Sequence, residues 1–180
     1  MNNGKDMDIT LMADSTLLRS GQPFFIPSFA PHFAAVPMLM LRVGRLGKCI
    51  AKRFAHRYID AMTASFIIKP LGDDLQPMTL NGMEHIMDGA TIYGSWIDCD
   101  VSQPLSSINW TVAQSEGTIA HQDIAPAIDS AIEFLSQSTT LKMGDVVCLG
   151  LPETKPQLLH IDDIVTASVD GKLILKNKIK

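Results

Sequence analysis

The sequence predicts a mainly β, α+β fold: many short strands and two short helices in one domain. Three features predict it. Apolar residues fall in short runs bounded by Gly, Pro, Asn and Asp, as strands and turns require. One long stretch, from about Asp123 to Gln137, carries apolar residues at helical spacing. Near the C-terminus, Asp170-Gly171 sits between two apolar runs, the pattern of a type I′ hairpin.

Taken in order, residues 1–10 are polar and read as a flexible lead, with a single domain over 11–180. Ser20-Gly21-Gln22-Pro23 is a turn signal, and Pro23, Pro27 and Pro31 suit an irregular path. The run from Met38 to Val43 predicts a buried strand. Lys48 to Tyr58 places Ile50, Phe54 and Tyr58 on one stripe of a short amphipathic helix. Ala64 to Ile68 predicts a strand stopped by Pro70, followed by loop from Leu71 to Asp88. Short strands are expected at Thr91–Tyr93, Trp96–Ile97, Asn109–Ala113 and Val146–Leu149. In the long helix, Ile124, Ile128, Ala131, Ile132 and Leu135 form the apolar stripe, Asp123 the N-cap, and Pro126 lies in the first turn. The hairpin runs from Ile164 to Leu175. Gly117 and Gly171 read as turn glycines.

The 180 residues suffice for one sizeable core. Charged residues make up 19%, below the usual figure of about 25%, so part of the surface is expected to lie against a partner or a second subunit. Net charge is −4 and no basic run exceeds two residues, which argues against nucleic acid and against a polybasic membrane tether. Cys49, Cys99 and Cys148 are widely spaced, with no C-x-x-C pair for zinc or a disulfide framework. The polar start lacks a signal-peptide core, and no apolar run approaches the roughly 18 residues of a membrane span. A reduced, cytoplasmic protein is expected. No G-x-S-x-G elbow, Walker loop or H-E-x-x-H motif is present.

Four stretches carry a resemblance. They are Asp14 to Leu18 with Gly21-Gln22-Pro23-Phe24-Phe25-Ile26-Pro27; Gly44-Arg45-Leu46-Gly47-Lys48 continuing to Phe54 through Asp60; Asp88 through Gly94; and Thr140 through Val147, ending in Leu149-Gly150-Leu151-Pro152. In order and spacing, over about residues 11 to 175, they resemble the fumarylacetoacetate hydrolase family. The resemblance implies a mixed β-roll with short helices, usually paired as a dimer. It also implies hydrolysis, decarboxylation or isomerisation of small β-dicarbonyl acids. A divalent cation, usually magnesium, acts there as Lewis acid on the substrate oxygens.

The family's metal ligands do not carry over. Its Glu-x-Glu pair falls at Val36 and Met38, counted from either flanking motif, and its third ligand, an Asp, falls at Ile67 or Lys69. None of these side chains offers the carboxylate oxygen that a hard cation prefers. Pro37, between the first two, is expected to disturb the strand that would present them. The family's active-site lysine corresponds to His85, a group able to move protons near pH 7. Its catalytic N-terminal histidine is expected to have no counterpart. The threonine of its Gly-Thr-Pro segment is Leu151 here.

A replacement site would draw on Glu84, His85 and Asp88 with Asp73 and Asp74, or on Asp98 and Asp100, which share a side at strand spacing. The resulting expectation is a non-catalytic family member with a structural, ligand-binding or partner-binding role and no cofactor. Its partner would be a small organic acid or a related subunit. The alternative is an enzyme of small β-dicarbonyl acids with metal-independent chemistry, using His85, Lys69, Asp88 and Asp74 as acid–base groups.

Overall fold

A computed structural model describes residues 9–79, 82, 85–99, 107–150 and 155–180. Two sheets and one α-helix make up the fold. The larger sheet has strand order β1 (Leu17–Arg19), β4 (Thr91–Tyr93), β3 (Ile59–Leu71), β2 (His32–Val43), β8 (Val146–Gly150). At its ends, β5 (Ile97–Asp98) pairs with β3 and β9 (Gln157–Leu159) with β2. The smaller sheet has the order β11 (Lys172–Lys178), β10 (Ile164–Val169), β6 (Ser107–Val112), β7 (Ser115–Ala120). Only β1 and β4 pair in parallel within these ladders, so the larger sheet is mixed.

The long antiparallel β2–β3 ladder is the spine, and its alternation sorts the side chains. Phe33, Ala35, Leu39, Leu41 and Val43 of β2 point to one face, together with Ala64, Phe66 and Ile68 of β3. That face joins Ile92 and the helix α1 (His121–Ser138) in one apolar core. Ile124, Ile128, Ala131 and Ile132 of α1 are buried as the helical spacing requires. The opposite face of the spine carries the candidate site.

Several expectations change. Pro37 does not interrupt β2. It falls between Phe33–Ala35, which pair with β9, and Met38–Arg42, which pair with β8. Among the described residues, neither edge strand has a residue paired with Pro37, so no described ladder bond calls on its missing N–H. Pro70 likewise does not end β3, because it lies past the stretch paired with β4, Ser65–Ile67. The helix expected from Lys48 is a 3₁₀ helix over Lys52–Tyr58 only. Outside acceptors take the preceding donors: Gly47 N–H bonds Leu141 O, Cys49 N–H bonds Ser136 O, and Ile50 N–H bonds Ser136 Oγ. Cys49 also has φ 50°, incompatible with an α-helix. Phe54 consequently faces solvent instead of the core, 37% exposed.

The helix α1 begins at His121, so Asp123 lies within it and Pro126 in the second turn. Gly117 is not a turn residue: it lies within β7 opposite Trp110, where a Cβ would collide with the indole. The C-terminal hairpin forms as expected, with Asp170 at φ 47° and Gly171 at φ 80°, the pair of positive values a type I′ turn demands.

Candidate functional site

The face of the spine away from the core is organised in cross-strand rows, because directly opposed residues point the same way. One row is Leu17–Thr91–Ile67–Val36. The next is Arg19–Tyr93–Ser65–Met38–Gly150. A third sets Thr63 beside Met40 and Cys148. The last sets Asp98 beside Ala61, Arg42 and Val146. Lys69 pairs with Ala34, and Ala34 with Leu158, at the other end.

The positions at which the sequence is expected to match the family's metal ligands lie together. Val36 is directly opposite Ile67, and Met38 is two residues along on the same face. All three are half-buried. Lys69 is exposed beside Ala34, one step further along that face. The side chains that the register gathers there end in an isopropyl group, a thioether and a sec-butyl group. No cluster of three or more His, Cys, Asp or Glu side chains fit for a metal exists among the described residues. These residues do not fit a magnesium ion.

Polar groups that the sequence did not single out line the second row. Arg19 Nε donates to Tyr93 Oη at 2.9 Å. Next to Tyr93, the hydroxyl of Ser65 is buried and lacks a hydrogen-bond partner. In the first row, Thr91 Oγ1 hydrogen-bonds Thr16 Oγ1 at 3.3 Å. The signal for these was the alternation Thr63-Ala64-Ser65-Phe66, polar toward the site and apolar toward the core. Arg42 and Asp60 form an ion pair of 2.7 Å at the far end of the face. The Asp60 carboxylate raises the pKa of the Arg42 guanidinium, chiefly through that hydrogen bond. Burial, helped by Asp60 and Asp98, pushes the Cys99 thiol up to about 11. Burial alone pushes Cys148 up to about 11.

The acid–base candidates sit at the opposite end of the spine. Asp74 is part of a tight turn, its Oδ1 accepting from Gln76 N–H at 3.0 Å, while Gly72 N–H bonds Gln76 O. Asp73 and Asp88 are exposed. The segment holding His85 and Asp88 is stitched to its surroundings by backbone bonds: Ala13 N–H to His85 O, Gly89 N–H to Ser15 O, and Ile68 N–H to Ala90 O. The last of these brings it beside the residue preceding Lys69. Glu84, Asp100, Leu151 and Pro152 lie outside the described residues.

The fold is shared with solved structures of known proteins. A 2-hydroxyhepta-2,4-diene-1,7-dioate isomerase from Mycobacterium marinum superposes with a TM-score of 0.77 at 20% identity, covering 97% of this chain and 70% of that one. A fumarylpyruvate hydrolase from Pseudomonas aeruginosa, in complex with Mn2+ and pyruvate, gives 0.73 at 15% identity, covering 93% and 76%. A maleylpyruvate hydrolase from Sphingobium gives 0.74 at 17% identity, and the chain, 92% covered, spans only 62% of that protein. No curated protein matches the chain. Residues 9–180 match the model of the fumarylacetoacetate (FAA) hydrolase C-terminal domain, and the chain therefore belongs to the fumarylacetoacetate hydrolase family.

Proposed function

We propose that this chain is a non-catalytic member of its family that acts by binding, with the metal-assisted chemistry given up. The observation that carries the reading is the pairing of Val36 with Ile67, with Met38 beside them on one face. Three positions converge as a metal centre would need, and each is apolar. The ligand we propose is a small organic acid. Arg19 offers it a charged donor beside Tyr93, and Ser65 holds an unused hydroxyl in the same row. Protein titrated with magnesium or manganese is expected to show no rise in melting temperature. It should also show no turnover of acylpyruvates or oxaloacetate. A metal-dependent rise of several degrees would overturn the reading, since a ligand of the native state must stabilise it.

A second reading has one observation in its favour. The His85–Asp88 segment is tied through Ala90 O to Ile68, next to Lys69, so these groups share one end of the sheet. They would then serve metal-independent acid–base chemistry on a β-dicarbonyl acid. Turnover lost in both His85→Ala and Lys69→Ala would establish it. A homodimer and a cytoplasmic location belong to the same proposal. Exposed Leu11, Phe25, Leu46 and Ile161 supply apolar surface for a second copy, and light scattering would give the mass. Among the described residues, no helix is long and apolar enough to cross a membrane.

A further inference from the structure

A cleft just beyond the Arg42–Asp60 end of the spine is built from the Gly44–Lys48 loop and the 3₁₀ helix Lys52–Tyr58. It has a volume of about 310 Å³ and is lined by Arg45, Leu46, Phe54, Arg57 and Tyr58. The loop is held in place by backbone bonds: Gly44 N–H to Tyr58 O at 2.8 Å, and Gly47 and Leu141 bonded to each other at 2.9 and 2.8 Å. Gly47 lies flat against Tyr58, where any Cβ would collide with the phenol ring. This close approach pushes Arg45 and Leu46 outward, and both are exposed.

The charge around this cleft runs against that of the whole chain. Residues 45–57 hold Arg45, Lys48, Lys52, Arg53 and Arg57 and no acidic residue, in a chain of net charge −4. The described ion pairs of the molecule involve Arg42, His160 and Lys178, none of them a cation of this segment. Arg53 and Arg57 instead lie over the ring of Phe54, at 4.7 and 5.0 Å from its centroid. Cation–π stacking uses the face of a guanidinium and leaves its N–H edge available. Unpaired arginines beside an exposed aromatic ring therefore give donors for an oxyanion next to an apolar wall. The cleft lies at the Val43/Ile59 end of the spine. Lys69 is at the other end, roughly 30 Å along the strand at the usual rise per residue.

We infer that this cleft binds a small organic anion. Its doubly charged oxyanion, phosphate or paired carboxylates, is held by Arg45 and Arg57, and its apolar body lies against Leu46 and the edge of Phe54. This site is separate from the Arg19 row and stands or falls independently of it. The test is calorimetric titration of the whole chain with phenyl phosphate, phthalate and inorganic phosphate. One site is expected for phenyl phosphate or phthalate, tighter than for inorganic phosphate. Which of the two binds better identifies phosphate or carboxylate as the native group. Arg45→Gln/Arg57→Gln should weaken binding about tenfold per arginine, the loss of one charge-assisted hydrogen bond each. Phe54→Ala should erase the advantage of phenyl phosphate over inorganic phosphate. Arg19→Gln should leave affinity unchanged. No binding of either organic probe, unchanged affinity in the double variant, or loss of binding in Arg19→Gln would each overturn the inference.

Discussion

Placing carboxylates at Val36 and Ile67 should create a response of stability to metal that the proposed reading denies to the unaltered chain. The two residues are directly opposed in the β2–β3 ladder. Their Cβ atoms in such a pair are about 5 Å apart. Two carboxylates at that distance repel by about 3 kcal/mol at an effective dielectric constant of about 20. Each apolar side chain removed costs a further 1 to 2 kcal/mol or so, being half-buried. Val36→Glu/Ile67→Asp is therefore expected to lose several kcal/mol, a large part of a typical domain's ~5–15. A divalent cation between the carboxylates reverses the repulsion. At one hundred times its Kd it returns about 2.7 kcal/mol. For a chain of this size that is a rise of about 5 to 11 °C. Melting curves with and without magnesium or manganese read the effect directly. Val36→Glu alone serves as the milder variant if the double one does not fold. The reasoning is refuted if a folded double variant shows no metal response, or if the unaltered chain responds as strongly.

Three further outcomes are expected. Ser65→Ala removes a buried hydroxyl that has no partner, so stability measured by denaturant unfolding should hold or rise by about 1 kcal/mol; a loss beyond that would mean the hydroxyl is engaged. Leu39→Ala empties a fully buried position on the core face of β2 and should cost about 2 to 5 kcal/mol in the same assay. Thiol labelling should follow pH as the burial dictates. Exposed Cys49 reacts first, while Cys99 and Cys148, with pKa values near 11, react slowly until strongly alkaline pH. Because their folded pKa lies above the ordinary 9, the unfolded chain releases those protons first. Stability should accordingly fall as pH climbs from 9 toward 11 and be unaffected by these thiols below 9.

Much of the fold is written locally. The α1 stripe of Ile124, Ile128 and Ile132 needs only helical period, and it is buried as that period requires. Asp170-Gly171 needs only two residues tolerant of positive φ, and the hairpin forms around them. What local reading gets wrong depends on partners distant in sequence. The segment from Lys48 carries a helical stripe, but Gly47, Cys49 and Ile50 give their backbone donors to Leu141 and Ser136, about ninety residues away, and the helix shrinks. Gly117 carries a turn signal, but the indole of Trp110 across the hairpin requires a residue without a Cβ.

The sequence alone determined the family and the mostly β composition of the chain, and it supplied the expectation that Val36, Met38 and Ile67 or Lys69 stand where the family carries ligand carboxylates. These follow from residue identity and order along the chain. Only the tertiary structure decided which residues share a face. Register is a property of two strands, so neither strand alone can state that Val36 meets Ile67 or that Ser65 stands beside Tyr93. The same holds for Pro37. By itself it argues for a broken strand, yet β2 runs through it, between the stretch that pairs with β9 and the stretch that pairs with β8.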